Sequence, residues 1–274
     1  MKNCNRFLGL FFMLFVIAFF SSCSSDDGAP EPPVVATPTP DPTPTPTSAD
    51  RRETFTFTSN GISIEAKIFI PSEYDENKNL PAIYLLDFKE QHFQVATDEF
   101  DKVIEGVKGV QGLNALVITL AEHMDIDFVI PRDYQEYNDV YKNMAAYVDD
   151  NYTSNSSRTF IARGSEASQV LMTLFLEEKE TSVFQNFIAT DSPSVGLVTA
   201  MLENEDFPQE KENKKLHFSF SSTNDYDLNI KLINTINEQA YPWLEFRSVE
   251  YPNLTYENAY PTAFANGIKF VFED

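Results

Sequence analysis

The first clear alternation of polar and apolar positions lies just after residue 50. Thr54–Thr58 and Ile62–Ile70 both alternate in this way, as expected of strands that bury one face. Asn60 and Gly61 separate the two segments, and this pair suits the left-handed positions of a two-residue hairpin turn. The pattern predicts an antiparallel hairpin at the start of a folded domain.

After Pro71 the apolar positions come in short runs without alternation, which is typical of parallel strands buried on both faces. The predicted strands are Ala82–Leu86, Ala115–Leu120, Thr159–Ala162, Phe187–Ala189, Leu216–Phe220 and Leu244–Val249. The predicted helices are Asp98–Val107, Asp139–Val148, Val170–Leu176, Val195–Leu202, Leu228–Ala240 and Pro261–Phe272, the last beginning at its proline. These elements predict an α/β fold with a doubly wound, mostly parallel sheet after the N-terminal hairpin.

Ligands of such sheets bind beyond the carboxyl ends of the strands. The polar residues expected there are Asp87, Glu122, His123, Gly164, Ser165, Asp191, Ser192 and Ser221–Asp225. We therefore expect the functional residues at this edge of the sheet.

The N-terminus has the features of a targeting segment. The basic residues Lys2 and Arg6 precede the apolar run Phe7–Phe20. Residues 1–22 are therefore predicted to be a cleaved signal peptide. Cys23 follows small residues and resembles the lipobox of bacterial lipoproteins, which implies a lipid on this cysteine; the alternative is an ordinary signal peptide with an incidental cysteine. The acidic stretch 24–28 resembles the surface-export tag of Bacteroidetes lipoproteins. The resemblance implies an outward-facing outer-membrane lipoprotein.

The rest of the chain divides by composition. Residues 23–50 are rich in proline and threonine, which favours an extended, semi-rigid tether after the acylated cysteine. Residues 51–274 are of a length that suits one α/β domain. The two cysteines of the chain, Cys4 and Cys23, both lie before this domain, so neither a disulfide nor thiol catalysis is expected in it.

The chain is strongly acidic, with a formal net charge of -22 at pH 7. No basic stripe is available to contact phosphates, which excludes nucleic acid as an expected partner. The expected partners are the membrane, through the lipid anchor, and a small-molecule or glycan ligand.

Several segments resemble the esterase family of esterase D and the enterochelin esterases, which have an α/β-hydrolase fold. Leu80–Phe93 is similar to a strand and loop of that family, Tyr137–Ala162 to a helix and the strand before the nucleophile, and Phe187–Val195 to an A-x-S-P-S segment. Tyr260–Phe272 is similar to its terminal helix. The resemblance implies an ester hydrolase fold over most of 71–272.

The family carries its nucleophile in a G-x-S-x-G-G turn between strand and helix. Here the corresponding segment, 158–168, permits two registers. One makes Ser165 the nucleophile and places Arg163 at a position that needs a small residue, where it would push strand and helix apart. The other places Gly164 in the nucleophile slot, after Ala162, and thereby deletes the nucleophile. In either case Ser165 has the alternative role of a helix N-cap.

The histidine and the acid of the family's catalytic triad have no clear counterparts in this chain. Tyr256 occupies the slot of the histidine, and a phenol is a poor base near neutral pH. Asp225 lies where the acid would fall, with Asp227 as the alternative. No histidine follows His217, which we expect to be structural.

The remaining candidates surround the expected binding cleft. Phe88 replaces a family glycine there, and Glu166 would follow the nucleophile in the Ser165 register; both changes oppose ester hydrolysis. His92 and His123 are expected at the mouth of the cleft, where either could act as a relocated base. The spacing of these groups matches no metal-binding motif, so neither a metal nor a cofactor is expected.

Two functions follow from these residues. The first is an esterase-like surface lipoprotein that has lost hydrolysis and binds a ligand or partner, with Tyr256 among the aromatic residues at the cleft. The alternative is an active serine esterase on acyl or aryl esters of glycans or siderophores, with Ser165, Asp225 and a relocated His92 or His123. A third, protein–protein interaction, would require a broad exposed apolar patch.

Overall fold

The computed structural model describes residues 49–87, 98–121, 134–204 and 207–273. Eight strands form one sheet: β1 (Arg51–Ser59), β2 (Ile62–Ile70), β3 (Ala82–Leu85), β4 (Leu116–Leu120), β5 (Arg158–Arg163), β6 (Asn186–Thr190), β7 (Lys214–Ser221) and β8 (Leu244–Tyr251). Six helices accompany it: α1 (Glu99–Lys108), α2 (Tyr134–Asn151), α3 (Gly164–Leu176), α4 (Val195–Glu203), α5 (Tyr226–Gln239) and α6 (Tyr256–Phe272). Both predicted hairpin strands and all six strands predicted after Pro71 are present.

The sheet order is β1-β2-β4-β3-β5-β6-β7-β8. β1 pairs antiparallel with β2 and β2 antiparallel with β4, whereas every pairing from β4 to β8 is parallel. Asn60 and Gly61 close the hairpin with φ values of 50° and 79°, as the turn chemistry predicts. The prediction of a mostly parallel α/β sheet with an antiparallel N-terminal hairpin is confirmed.

Helices cover both faces of the sheet, which explains why its inner strands do not alternate. In β3, Ala82 and Tyr84 belong to one buried apolar cluster and Ile83 and Leu85 to another. The two clusters lie on opposite faces because neighbouring side chains of a strand point in opposite directions. Burial on both faces favours apolar residues at successive positions instead of every second one.

The prediction for the last helix was wrong about its start. α6 begins at Tyr256, five residues before Pro261, which lies inside the helix. Thr255 is the N-cap residue, and its carbonyl accepts the N–H groups of Asn258 and Ala259. The earlier start has a consequence for the site, because it makes Tyr256 the first helical residue.

Within the described residues, no helix combines the length and the apolar character needed to cross a bilayer.

Candidate functional site

The turn between β5 and α3 lies at the carboxyl edge of the sheet. β5 ends at Arg163 and α3 begins at the next residue, Gly164, which has a φ of +62°. Ser165 is not among the described residues with positive φ. A left-handed conformation is strained for residues with a side chain, and it is the conformation that a nucleophile elbow requires of its nucleophile. The backbone at this turn matches the register that places Gly164 in the nucleophile slot.

The space beside Gly164 is occupied by Tyr256. A Cβ atom built on Gly164 would overlap the phenol oxygen and would lie 3.3 Å from Cζ of the same ring. A side chain at position 164 therefore requires Tyr256 to move.

Ser165 is the second residue of α3 and not its cap. The N-cap position belongs to Arg163, and no side chain caps this helix end. Ser165 is half-buried, and its side-chain hydroxyl makes no hydrogen bond to another described residue. The N-cap alternative for Ser165 was therefore wrong.

Arg163 does not separate the strand from the helix, contrary to expectation, since α3 starts directly after it. Its guanidinium carbon lies 4.8 Å from the ring centroid of Tyr256 and 4.1 Å from that of Tyr260. Its Nε donates to the Glu99 carboxylate in a largely buried ion pair. The long side chain is accommodated because it extends from the turn onto α6 and α1.

Glu99 is the other half of this ion pair. Burial raises the pKa of Glu99 to about 7, with a further rise from the negative charge of Asp87, while Arg163 opposes both effects. Asp98 accepts a short hydrogen bond from the Tyr260 hydroxyl. The two tyrosine rings, the guanidinium and the Glu99 carboxylate thus form one packed cluster behind the turn.

Asp225 lies outside this cluster. It is exposed and is the N-cap of α5, where its Oδ1 accepts the N–H of Leu228 at 3.0 Å. Its alternative, Asp227, is exposed in the first turn of the same helix. The local geometry gives Asp225 a structural task as a helix cap.

Asp191 is a site residue to which the sequence analysis assigned no role beyond its position at a strand end. It follows β6 with a φ of 55° and is only 3% exposed. Its Oδ1 accepts the N–H of Ser221 at 2.6 Å and the hydroxyl of Ser221 at 2.8 Å. Burial raises the pKa of Asp191, although the hydrogen bonds from Ser221 and the Asn224 side chain and the positive charge of Arg163 oppose the shift. A polar residue at a strand end was the one available signal; its burial could not be read from the sequence.

A cavity of about 390 Å³ connects these groups. It is lined by Gly164, Ser165, Asp191, Pro193, Thr223, Asn224, Tyr256 and Glu257. The structure therefore brings Gly164, Ser165 and Tyr256 together, as expected, but Asp225 does not line the cavity.

Glu166, the other described residue of the predicted cleft, does not line this cavity. Phe88, His92 and His123 lie outside the described residues. Glu166 is buried in the first turn of α3. His217 lies inside β7, fully buried, and both of its ring nitrogens lack a hydrogen-bond partner. In the described part of the chain, no group of three or more histidine, aspartate or glutamate side chains could hold a metal ion.

Comparison with solved structures identifies the architecture. The chain is similar to an IroE-like serine hydrolase from Shewanella oneidensis, with a TM-score of 0.63 and 15% identity over 81% of this chain and 80% of that one. A siderophore hydrolase, EstA, from Aspergillus nidulans gives a TM-score of 0.58 at 13% identity, covering 80% of this chain and 93% of that one. An uncharacterised protein from Capnocytophaga ochracea gives a TM-score of 0.65 at 14% identity, covering 81% of this chain and 64% of that one.

No family model and no curated protein matches the chain. At the identities of the solved structures, the similarity establishes the fold, which is that of α/β-hydrolases. The resemblance seen in the sequence is confirmed at that level.

Proposed function

We propose that this α/β-hydrolase-fold chain no longer hydrolyses esters and instead binds a ligand at the carboxyl edge of its sheet. The observation that carries the proposal is the pairing of Gly164 with Tyr256. The residue with the elbow's left-handed backbone has no side chain, and a phenol fills the space that a nucleophile would need. Hydrolysis through an acyl-enzyme has no starting atom in that arrangement.

The absence of a base at this position supports the same proposal. Tyr256 holds the slot that the resemblance gives to histidine, and an ordinary phenol titrates near pH 10, far above the range of an efficient general base. In one protease, loss of the histidine alone removes about as much turnover as loss of the whole triad. The described residues around the cavity include no imidazole.

A binding role fits the remaining features. The cavity lies within the size range of small-molecule sites, about 300–1,000 Å³, and combines a few polar groups with an aromatic ring. An N-terminal lipid on Cys23 and a proline-rich tether would hold this cavity away from an outer membrane, where it could capture a small molecule or a glycan. Replacement of Cys23 by serine in the full-length chain should abolish incorporation of labelled palmitate during bacterial expression; undiminished labelling would contradict the anchor.

Turnover of p-nitrophenyl acetate tests the loss of hydrolysis. We expect the wild-type protein to match a buffer blank and Ser165→Ala to leave that result unchanged. Turnover by the wild type that disappears in Ser165→Ala but survives in Tyr256→Phe would overturn the proposal. It would favour the alternative of an active serine esterase, in which Ser165 works with a base that the described residues do not supply.

A further inference from the structure

The tripeptide Asn-Gly-Ile occurs twice in the chain, at residues 60–62 and 266–268. An asparagine followed by glycine loses its side-chain amide readily, because glycine has no Cβ to hinder its own backbone nitrogen from reaching the asparagine side chain. Asn60 and Asn266 are both exposed to solvent. The tripeptides and the exposure of the two asparagines therefore do not distinguish the sites, and a difference in their reactivity must come from the fold.

The first site is the turn of the β1–β2 hairpin. Ser59 pairs with Ile62, so Asn60 and Gly61 alone connect the two strands. Neither the Asn60 side chain nor the Gly61 N–H makes a hydrogen bond to another described residue. Apart from its chain neighbours, no described residue has an atom within 4 Å of the position that a Cβ on Gly61 would take. The two groups that would react are therefore not restrained by packing.

The second site lies inside α6, where the fold restrains both residues. The Asn266 Nδ2 donates to the Tyr251 hydroxyl at 2.8 Å. A helical backbone engages the N–H of Gly267 in a hydrogen bond, and a Cβ built on Gly267 would overlap Ile188 of β6. Reaction at Asn266 would therefore require this part of α6 to unwind and leave the sheet.

Loss of the amide begins when the backbone nitrogen of Gly61 attacks the side-chain carbonyl carbon of Asn60. The new C–N bond closes a succinimide ring, and the side-chain nitrogen leaves as ammonia with the proton from the Gly61 nitrogen. Water then opens one of the two ring carbonyls, which gives either aspartate or isoaspartate. The attack needs the backbone of Asn60 to rotate out of its turn conformation, with a φ of 50°. A two-residue turn opens at lower cost than a helix that packs on a sheet.

We propose that Asn60 is a site of spontaneous covalent modification, converting to aspartate and isoaspartate, and that α6 protects Asn266 from the same reaction. The inference is independent of ligand binding and of ester hydrolysis. Aspartate retains the turn, because Asp-Gly suits the same left-handed positions as Asn-Gly. Isoaspartate adds a methylene group to the backbone of the turn and disturbs the pairing of Ser59 with Ile62.

Peptide mapping by mass spectrometry measures the modification at both sites in one sample. The full-length protein is incubated at mildly alkaline pH, once native and once unfolded in urea, and the peptides that contain Asn60 and Asn266 are followed over time. In the native protein Asn60 should convert at least about tenfold faster than Asn266, because the turn opens more often than the helix. In urea the two rates should agree within about threefold, because the fold no longer separates two identical tripeptides.

Asn60→Asp is the control variant, since it keeps the turn and removes the reacting amide. Its turn peptide should gain no mass during the incubation, whereas Asn266 should behave in it as in wild type. Three results would overturn the assignment: equal rates at Asn60 and Asn266 in the native protein, an Asn60 that stays intact in the native protein while it converts in urea, or a rate difference that persists in urea. None of these results bears on ester turnover, so this proposal and the loss of hydrolysis can fail separately.

Discussion

The phenol of Tyr256 fills the space into which a side chain at Gly164 would project. The two positions are 92 residues apart in sequence and belong to the first turns of different helices, α3 and α6. In a working esterase of this fold, these two places would hold a nucleophile and its base. Here Gly164 has no side chain and the Tyr256 ring occupies the space beside it, so the turn is closely packed.

Gly164→Ser should therefore be destabilising by itself. The serine would adopt a left-handed backbone and displace a packed ring, at a cost of about 2–3 kcal/mol in the free energy of unfolding. Combining it with Tyr256→Ala should recover part of that loss, because the second change removes the overlapping ring. Urea denaturation of both single variants and the double variant measures this coupling, expected at about 1 kcal/mol or more.

Ser165→Ala serves as the control for that cycle, since the Ser165 hydroxyl makes no hydrogen bond to a described residue. Its effect should stay within about 0.5 kcal/mol. If Gly164→Ser unfolds at the same urea concentration as wild type, the phenol does not occupy the space described.

Much of the fold follows from sequence patterns, and particular residues show why. The alternation around Asn60 and Gly61 determines the hairpin, and unbroken apolar runs such as Ala82–Leu86 identify strands that are covered on both faces. The start of α6 was missed because Pro261 reads locally as a first-turn residue. Its actual start depends on Thr255, whose carbonyl accepts the first helical bonds.

The site was less predictable, because its decisive facts are backbone angles and burial. The sequence left Gly164 and Ser165 as equal candidates for the elbow, and only φ separates them. Asp191 shows no distinguishing motif; its role depends on burial against Ser221, 30 residues away. Arg163 appeared too large for its position because its guanidinium packs against rings from α6, a helix that is distant in sequence.

Asp225→Ala tests whether this residue is a helix cap or a catalytic acid. Loss of the bond from the Leu228 N–H should lower the free energy of unfolding by about 1 kcal/mol. Asp225→Asn should retain most of the stability, because asparagine also caps helices well. Thermal unfolding reports the difference, and Asp227→Ala is the neighbouring control. Equal thermal stability of wild type and Asp225→Ala would contradict the capping role.

Glu99 should make the protein less stable as the pH rises. Its pKa is raised to about 7 in the folded state from an ordinary value near 4.5, so the folded state binds the proton more tightly than the unfolded state. The favourable contribution is present in full below about pH 4.5 and is lost as the pH rises through 7, a change on the order of 3 kcal/mol.

Glu99→Gln should remove this loss of stability at rising pH. Glu238→Gln, which changes an exposed residue of α5, should retain the loss. Urea denaturation at pH 4.5 and pH 8 measures the effect as the difference between each variant and wild type. Parallel pH profiles for wild type and Glu99→Gln would show that burial does not shift the pKa of Glu99.

His217 should make the protein more stable as the pH rises, over nearly the same pH range. Burial, with a smaller effect of Arg247, lowers its pKa from 6.5 to about 4. The unfolded state therefore binds the proton more tightly, and stability falls as the pH drops from 6.5 towards 4, by about 3 kcal/mol. Because the Glu99 and His217 effects oppose each other, wild type alone should show a shallow profile between pH 4.5 and 6.5.

The single variants separate the two contributions. His217→Leu keeps an apolar side chain of similar size in β7 and should expose the Glu99 effect, so that stability falls steadily as the pH rises from 4.5 to 7. Glu99→Gln should expose the His217 effect, with stability rising over pH 4 to 6.5. Phe270 and Arg247 lie beside His217, so near-ultraviolet circular dichroism should first establish that His217→Leu retains native packing. If His217→Leu has the same profile as wild type, folding does not lower the pKa of His217.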